Sequence, residues 1–383
     1  MPTQARMENL KVALVHDWLT GMRGGEKVLE VLCELFPSAS LYTLVYNPGS
    51  VSSTIEGMKI HTSYLDRMPF KESRYRSFLP LMPSAVESFD LSGFDLVIST
   101  SHAVAKGAIP PPQALHVCYC HTPMRYIWDQ YGAYFGPGRA NLGTRMAMLM
   151  FRPYLRSWDV RTSARVHHFV ANSENVAQRI RRLYGRDSEV IHAPVDVSRF
   201  MATGAKGDHY LVVSALVPYK RVDIAVDAFR VGTKKLLVVG NGPERDHLAN
   251  RASANVEFLG WMPDEALARL YAQCRAVIFP GLEDFGIVPL EAMASGKGVI
   301  AFGEGGVMET VVGSGRNRTG VFFRRQTVAD LRNAIDEFER IHLDPVRIRK
   351  HAEKFDRGIF RKKIQGLLER KIDEHLGLRV EKR

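Results

Sequence analysis

The 383-residue sequence has only four cysteines, Cys33, Cys118, Cys120 and Cys274. None forms a C-x-x-C pair, which speaks against a zinc site. Cys118 and Cys120 lie two apart on a predicted strand and share a face, so buried, reduced thiols are expected. No apolar run reaches the ~20 residues of a membrane-spanning helix. G-x-G-x-x-G and G-x-x-x-x-G-K-[ST] are both missing, which demotes dehydrogenase and P-loop readings. There is no D-x-D triplet, internal repeat or low-complexity tract. The opening MPTQARMENLKVALVHDW leads into a first strand without a cleavable apolar region, so a cytoplasmic protein is expected.

What is present is the composition of a packed globular chain, 45% hydrophobic, and long enough for two cores. The net charge of +11 and a pI near 9.5 favour an anionic partner: nucleic acid, a phosphorylated substrate or an acidic membrane surface. No nucleic-acid recognition motif accompanies that charge, and the cations flank apolar segments. Nucleic acid is therefore not the expected partner.

Apolar strand-like runs alternate with helical patterns from end to end. KVALVHDW (11–18), FDLVIST (94–100), HVCYCHT (116–122) and HHFVANS (167–173) read as parallel strands covered on both faces. GGEKVLEVLCELF (24–36) and ENVAQRIRRLYG (174–185) read as helices. A second round of strands starts beyond the loop-like stretch 191–208. The expected architecture is α/β: two doubly wound, Rossmann-like domains, 1–198 and 199–354, with a helical tail at 355–383 returning to the first.

Ligands of such sheets bind at strand ends, so motifs there carry most weight. HDWLTGMRGGEKVL (16–29) puts Gly24 and Gly25 between the first strand and first helix. It can cradle a phosphate with backbone amides, or be no more than a tight turn. CHTPMRYIW (120–128) supplies His121 and Arg125 after another strand, and SALVPYKRVD (214–223) supplies Lys220 and Arg221. Adjacent cations suit a diphosphate leaving group; a solvated basic turn is the plain alternative. GNG at 240–242 reads as a turn.

EDFGIVPLEAMASG (283–296) brackets a helix start with Glu283 and Glu291. Pro289 is expected as the first helical residue, leaving the amides of Phe285, Gly286 and Ile287 to face an anion. Carboxylates repel a phosphate, so the two glutamates should take neutral hydroxyls on either side of it. A nucleoside diphosphate sugar has that layout.

The E-x7-E element from Glu283 to Glu291 resembles the family 4 glycosyltransferases, and the resemblance covers nearly the whole chain, including GVIAFGEGGVMETV (298–312). HDWLTGMRGGEKVL, ISTSHAVAKG (98–107), CHTPMRYIWDQY (120–131) and SALVPYKRVD together look like the O-antigen-type mannosyltransferase subgroup. The resemblance implies a retaining enzyme of GT-B fold, its two domains facing a central cleft. The implied donor is a nucleotide sugar, GDP-mannose in this subgroup, and the implied acceptor is a lipid-linked glycan. It implies catalytic roles for His121, Glu283 and Lys220. Gly24, Gly25, Lys220, Arg221, Glu283, Phe285, Gly286, Ile287 and Glu291 are implied at the donor, with Trp261 and Met262 by the nucleobase. Arg125, Arg74 and Arg76 are expected at the acceptor. Many relatives carry an arginine before the lysine in a GRL triplet; here the triplet is Ser214, Ala215 and Leu216, so Arg221 or another base must compensate, or donor affinity is lower. No metal or other cofactor is expected. Other donors (UDP-glucose, UDP-N-acetylglucosamine, a rhamnose donor) or a sugar-nucleotide epimerase on the same fold are the alternatives.

Two basic and apolar segments, 66–89 with Arg67, Lys71, Arg74 and Arg76, and 144–165 with Arg145, Arg152, Arg156, Arg161 and Arg165, suit a surface meeting anionic lipid. Ordinary amphipathic helices explain either segment equally well. A peripheral position on the inner face of the cytoplasmic membrane is the corresponding expectation.

Overall fold

The computed structural model describes residues 7, 9–136, 141–202 and 207–377, with only the backbone at Ser73 and Arg74. The chain divides into two compact units, Met1–Ala193 with Phe360–Arg383, and Pro194–Ile359. The first crossing precedes the expected 198/199 boundary, and the return comes after 355. Backbone bonds account for both shifts: Val195 N–H donates to Phe355 O at 3.0 Å and Arg357 N–H to Val195 O at 3.0 Å. The two linking segments thus pair with each other inside the second unit.

The first unit is built on a seven-stranded sheet. Its strands are β1 (Val12–His16), β2 (Ser40–Thr43), β3 (Lys59–Thr62), β4 (Leu96–Ser101), β5 (Leu115–Cys120), β6 (His168–Ala171) and β7 (Ser188–Val190), in the order β3-β2-β1-β4-β5-β6-β7. Every pairing is parallel. β1, β4 and β5 are buried along their whole length, as strands covered on both faces must be. Cys118 and Cys120 pack with Phe169, Val176 and Ile180, while Val15, Val97 and Trp158 belong to a larger core cluster. Ser173 caps the helix Glu174–Tyr184 by accepting from Val176 N–H, and Gly185 ends it with φ 64°. The final helix, Arg357–His375, buries Phe360, Ile364, Leu367, Leu368 and Ile372. Within the first unit it sets Phe360 edge-on to Tyr119 and pairs Arg370 with Glu189.

The second unit repeats the plan with six parallel strands: β8 (His209–Val213), β9 (Lys235–Val239), β10 (Val256–Gly260), β11 (Ala276–Phe279), β12 (Val299–Phe302) and β13 (Gly320–Phe323), ordered β10-β9-β8-β11-β12-β13. In each sheet the strand order reverses beside the first strand, between β1 and β4 and between β8 and β11. Those switch points open a crevice at the carboxyl ends of the strands. GNG at 240–242 is a close backbone crossing: a Cβ on Gly240 would lie 1.9 Å from Ser214 O, and one on Gly242 2.3 Å from Leu216 O.

Candidate active site

In the first unit the β1–β4 switch point gathers ionisable side chains. Asp17, directly after β1, is fully buried and accepts four backbone N–H groups, from His102, Ala103, Val104 and Ala105, at 2.7–2.9 Å. His102 Nδ1 lies 3.1 Å from Asp17 Oδ2. Burial alone would raise the Asp17 carboxyl, but His102, its amide and His16 overrule that and hold it below the usual carboxylate range. His16 Nδ1 meets Thr100 Oγ1 at 2.6 Å across the paired register of β1 and β4. Its Nε2 is 3.7 Å from Glu26 in the first turn of helix Gly24–Leu35.

Gly24 opens that helix, and Gly25 lets it start against the imidazoles. A Cβ at Gly25 would lie 3.4 Å from His121 Nε2 and 3.6 Å from His16 Cε1. His121 follows β5; its N–H donates to Ser101 O at 2.8 Å and its carbonyl accepts from Asn172 Nδ2 at 3.0 Å. Burial, reinforced by His102 and His16, pushes the His121 imidazole down to about 3, so the ring is neutral at physiological pH. Its Nε2 is buried and has no hydrogen-bond partner among the described residues.

The other expected contacts of this unit are placed differently from one another. Arg125 is buried at 8% exposure; burial would raise the Asp129 carboxyl, but Arg179, and after it the charge of Arg125, hold it below the usual range, and Arg125 does not stand open at the surface. Arg76 is exposed, over the ring of Tyr75 at 5.2 Å. The side chain of Arg74 lies outside the described residues. Arg152 and Arg156 both donate Nε–H to Ile127 O, at 3.1 and 2.8 Å, and cover the rings of Tyr131 and Trp128. These two arginines are turned to the protein.

In the second unit the β8–β11 switch point brings Lys220 and Glu283 into an ion pair. Gly281 permits the approach: a Cβ there would lie 3.0 Å from both Cα and O of Lys220. The Glu283 carbonyl accepts from Gly306 N–H at 2.9 Å. Gly305 (φ +79°) and Gly306 leave no room for side chains, since added Cβ atoms would lie 2.4 Å from Glu283 O and 2.1 Å from Asp284 O. Gly286, with φ 92°, turns the chain into the helix Ile287–Ala294 and provides no side-chain cap. Pro289 is therefore the third helical residue and not the first. It still lies in the first turn, where the missing N–H sacrifices no intrahelical bond. Phe285 is buried, with Ile287 beginning the helix.

Glu291 accepts a hydrogen bond from Tyr271 Oη at 2.8 Å. Arg221 occupies the left-handed region (φ 51°) and directs its guanidinium to Asp223 at 3.1 Å. That charge is committed to a carboxylate rather than held ready to replace the arginine missing at Ala215. Trp261 is 71% exposed and Met262 half-buried, after the irregular end of β10. Asp17, His102, Tyr271, Gly305 and Gly306 join the expected residues as parts of these two strand-end clusters.

Residues 22–199 match the profile of Glycosyltransferase Family 4, and residues 202–355 that of Glycosyl transferases group 1. The chain is 41% identical over 96 residues to the alpha-1,3/1,6-mannosyltransferase ALG2 of Dictyostelium discoideum, a stretch covering 25% of this chain and 21% of that protein. It is 29% identical over 148 residues to the O-antigen chain mannosyltransferase RfbU of Salmonella typhimurium, covering 36% and 42%. The chain spans between 21% and 42% of the length of such curated relatives. Among solved structures, HepE of Anabaena in complex with UDP and glucose superposes with a TM-score of 0.68 at 18% identity, over 94% of this chain and 99% of that one. The fold is GT-B. With the two profiles together taking in most of its length, the chain belongs to the family 4 glycosyltransferases.

Proposed function

We propose that the protein is a retaining, metal-independent hexosyltransferase that moves mannose from GDP-mannose onto a polyprenyl-diphosphate-linked oligosaccharide during surface polysaccharide or O-antigen synthesis. One observation carries the nucleotide-sugar part. Glu283 and Glu291 bracket the N-terminal turn of the helix Ile287–Ala294, which no side chain caps, with Lys220 drawn to Glu283. The helix dipole and the amides of the first turn favour an anion there, and the carboxylates favour hydroxyls to either side. Glu283 then takes the transferred hexose, Glu291 the ribose and Lys220 the diphosphate. Mannose rests on the likeness to ALG2 and RfbU, both named as mannosyltransferases.

Transfer proceeds on the front face of the sugar. The bond from the anomeric carbon to the diphosphate oxygen breaks as the acceptor oxygen bonds to the same face, and the acceptor proton passes to the departing phosphate. The enzyme supplies orientation and charge stabilisation. His121, neutral and with an unpartnered Nε2, offers a hydrogen bond to a sugar hydroxyl. The missing D-x-D triplet underlies the metal-independent reading. A panel of nucleotide sugars, followed by thermal shift and turnover, tests the donor: GDP-mannose should stabilise and turn over, and its failure to do either would remove the mannose assignment. NMR of the product should show the anomeric configuration retained, and EDTA should leave the rate unchanged.

A further inference from the structure

The helix Leu142–Thr162 is apolar on two opposite faces. At about 100° per residue, Met148, Leu155, Trp158 and Thr162 gather on one arc, and all are buried. Leu142, Met146, Leu149, Met150 and Tyr154 gather on the other, and all are exposed, at 69%, 59%, 56%, 71% and 46%. One amphipathic face is enough to dock a helix on its core, so the second face is surplus to the fold. Contiguous exposed apolar surface of this kind marks an interaction site.

Charge decides what covers it. The helix holds four arginines, at 145, 152, 156 and 161, and one acid, Asp159. Asp159 is fully buried and matched by Lys106 Nζ at 3.0 Å, so it presents no negative charge outward. Arg152 and Arg156 run along one border of the outer arc, with Arg145 half-buried beside them and Arg161 exposed. A second copy of this helix would bring like charges together. An anionic lipid headgroup layer suits the apolar arc and the exposed Arg161, while Arg152 and Arg156, bonded to Ile127 O, add positive field at its border rather than direct contacts. Among the described residues no helix is long and apolar enough to cross a membrane, which leaves binding in the plane of the interface.

We infer that the outer face of Leu142–Thr162 is a membrane-docking surface for anionic bilayers, with Leu142, Met146, Leu149, Met150 and Tyr154 entering the headgroup–acyl boundary. This deepens the membrane expectation by moving it from the arginines to the apolar arc. It rests on the helix surface and not on the transferase reading.

The test uses the full chain and vesicles of phosphatidylglycerol and phosphatidylcholine in equal parts, without donor or acceptor. Wild-type protein should float with these vesicles at low salt and far less with pure phosphatidylcholine. Added salt should weaken binding without abolishing it, because the apolar part is not screened. Replacing Met146, Leu149 and Met150 together by glutamate should cut partitioning at least about tenfold, while the melting temperature changes little because these side chains are mostly exposed. Unimpaired flotation of that variant would overturn the proposal. So would wild-type protein that ignores anionic vesicles, or a concentration-dependent dimer that the triple variant abolishes. Transfer of hexose to a water-soluble acceptor analogue should survive the triple substitution, so failure of the docking proposal and failure of the transferase reading are separately visible.

Discussion

Tyr271 donates its phenolic hydrogen to Glu291 Oε2 at 2.8 Å, from a position with no solvent exposure. Burial and the facing carboxylate push the phenol well above its ordinary range, so it stays protonated and remains a donor. A glutamate proposed to meet ribose hydroxyls is thereby held in one orientation before the donor arrives, and preorganisation of this kind lowers the cost of binding. Tyr271→Phe should raise KM for the nucleotide sugar about tenfold, the effect expected of a hydrogen bond to a charged group, with kcat little changed. Steady-state kinetics beside a melting curve check this; equal losses in kcat and KM terms would place Glu291 in the chemical step.

Lys220 and Glu283 are expected to separate in kinetics although they pair in the structure. Lys220→Met removes charge stabilisation from the leaving diphosphate and should lower kcat about 100-fold or more. Glu283→Gln keeps the shape and one acceptor oxygen, and should act mainly on discrimination between hexoses. The measurement is kcat/KM for epimeric donors with each variant.

Gly306→Ala should damage donor binding without touching a ligating side chain. Its new Cβ would be placed 2.5 Å from Phe285 Cα as well as 2.1 Å from Asp284 O, and backbone cannot yield as a flexible side chain does. The loop carrying Glu283 must shift, so thermal stabilisation by GDP-mannose should disappear. Gly315→Ala is the contrasting variant: φ is +77° there, against −65° at Gly306, but no atom lies within 4 Å, so it should cost stability and keep binding.

His116 makes stability depend on acid. It is fully buried, and Nδ1–H donates to Arg165 O at 3.0 Å while Nε2 accepts from Ser99 Oγ at 2.8 Å. The neutral ring is satisfied, and burial pushes its pKa down to about 3. The unfolded chain takes the proton near pH 6.5 and the folded chain does not, so this contribution is complete above about 6.5 and is lost as pH falls toward 3. Between pH 6.5 and 5 it amounts to about 2 kcal/mol. Urea midpoints should fall over that interval, and His121, shifted the same way, should steepen the fall. A flat profile across it would contradict a neutral buried ring.

Contiguous residues at strand ends were legible because the chemistry and the spacing lie in one short stretch. Glu283, Gly286 and Glu291 fall within nine residues of each other, and their place after β11 follows from the apolar run before them. Asp17 and His102 lie 85 residues apart and meet only because β1 and β4 are neighbours, an order that strand spacing does not dictate. Tyr271 is hidden by its helix, where a buried tyrosine reads as ordinary core. Leu142–Thr162 shows the converse limit. Its periodicity reveals apolar residues on two arcs, but only the burial of Met148 and Trp158 tells which arc is interior. Pro289 stands two positions further into the helix than expected because Gly286, in the left-handed region, turns the chain into the helix already at Ile287.

The second unit, Pro194–Ile359, is threaded between two parts of the first. During synthesis the strands β1 to β7 leave the ribosome before the second unit, and the helix bearing Phe360, Ile364 and Ile372 leaves after it. Until then Tyr119 lacks the ring of Phe360, and the amino-terminal ends of β4 and β5 at Leu96 and Leu115, which line a small cavity with Ile372, stand uncovered. Completion of the first unit thus waits until the second has been made, and a chain cut after Ile359 should hold a folded second unit and an unfinished first one.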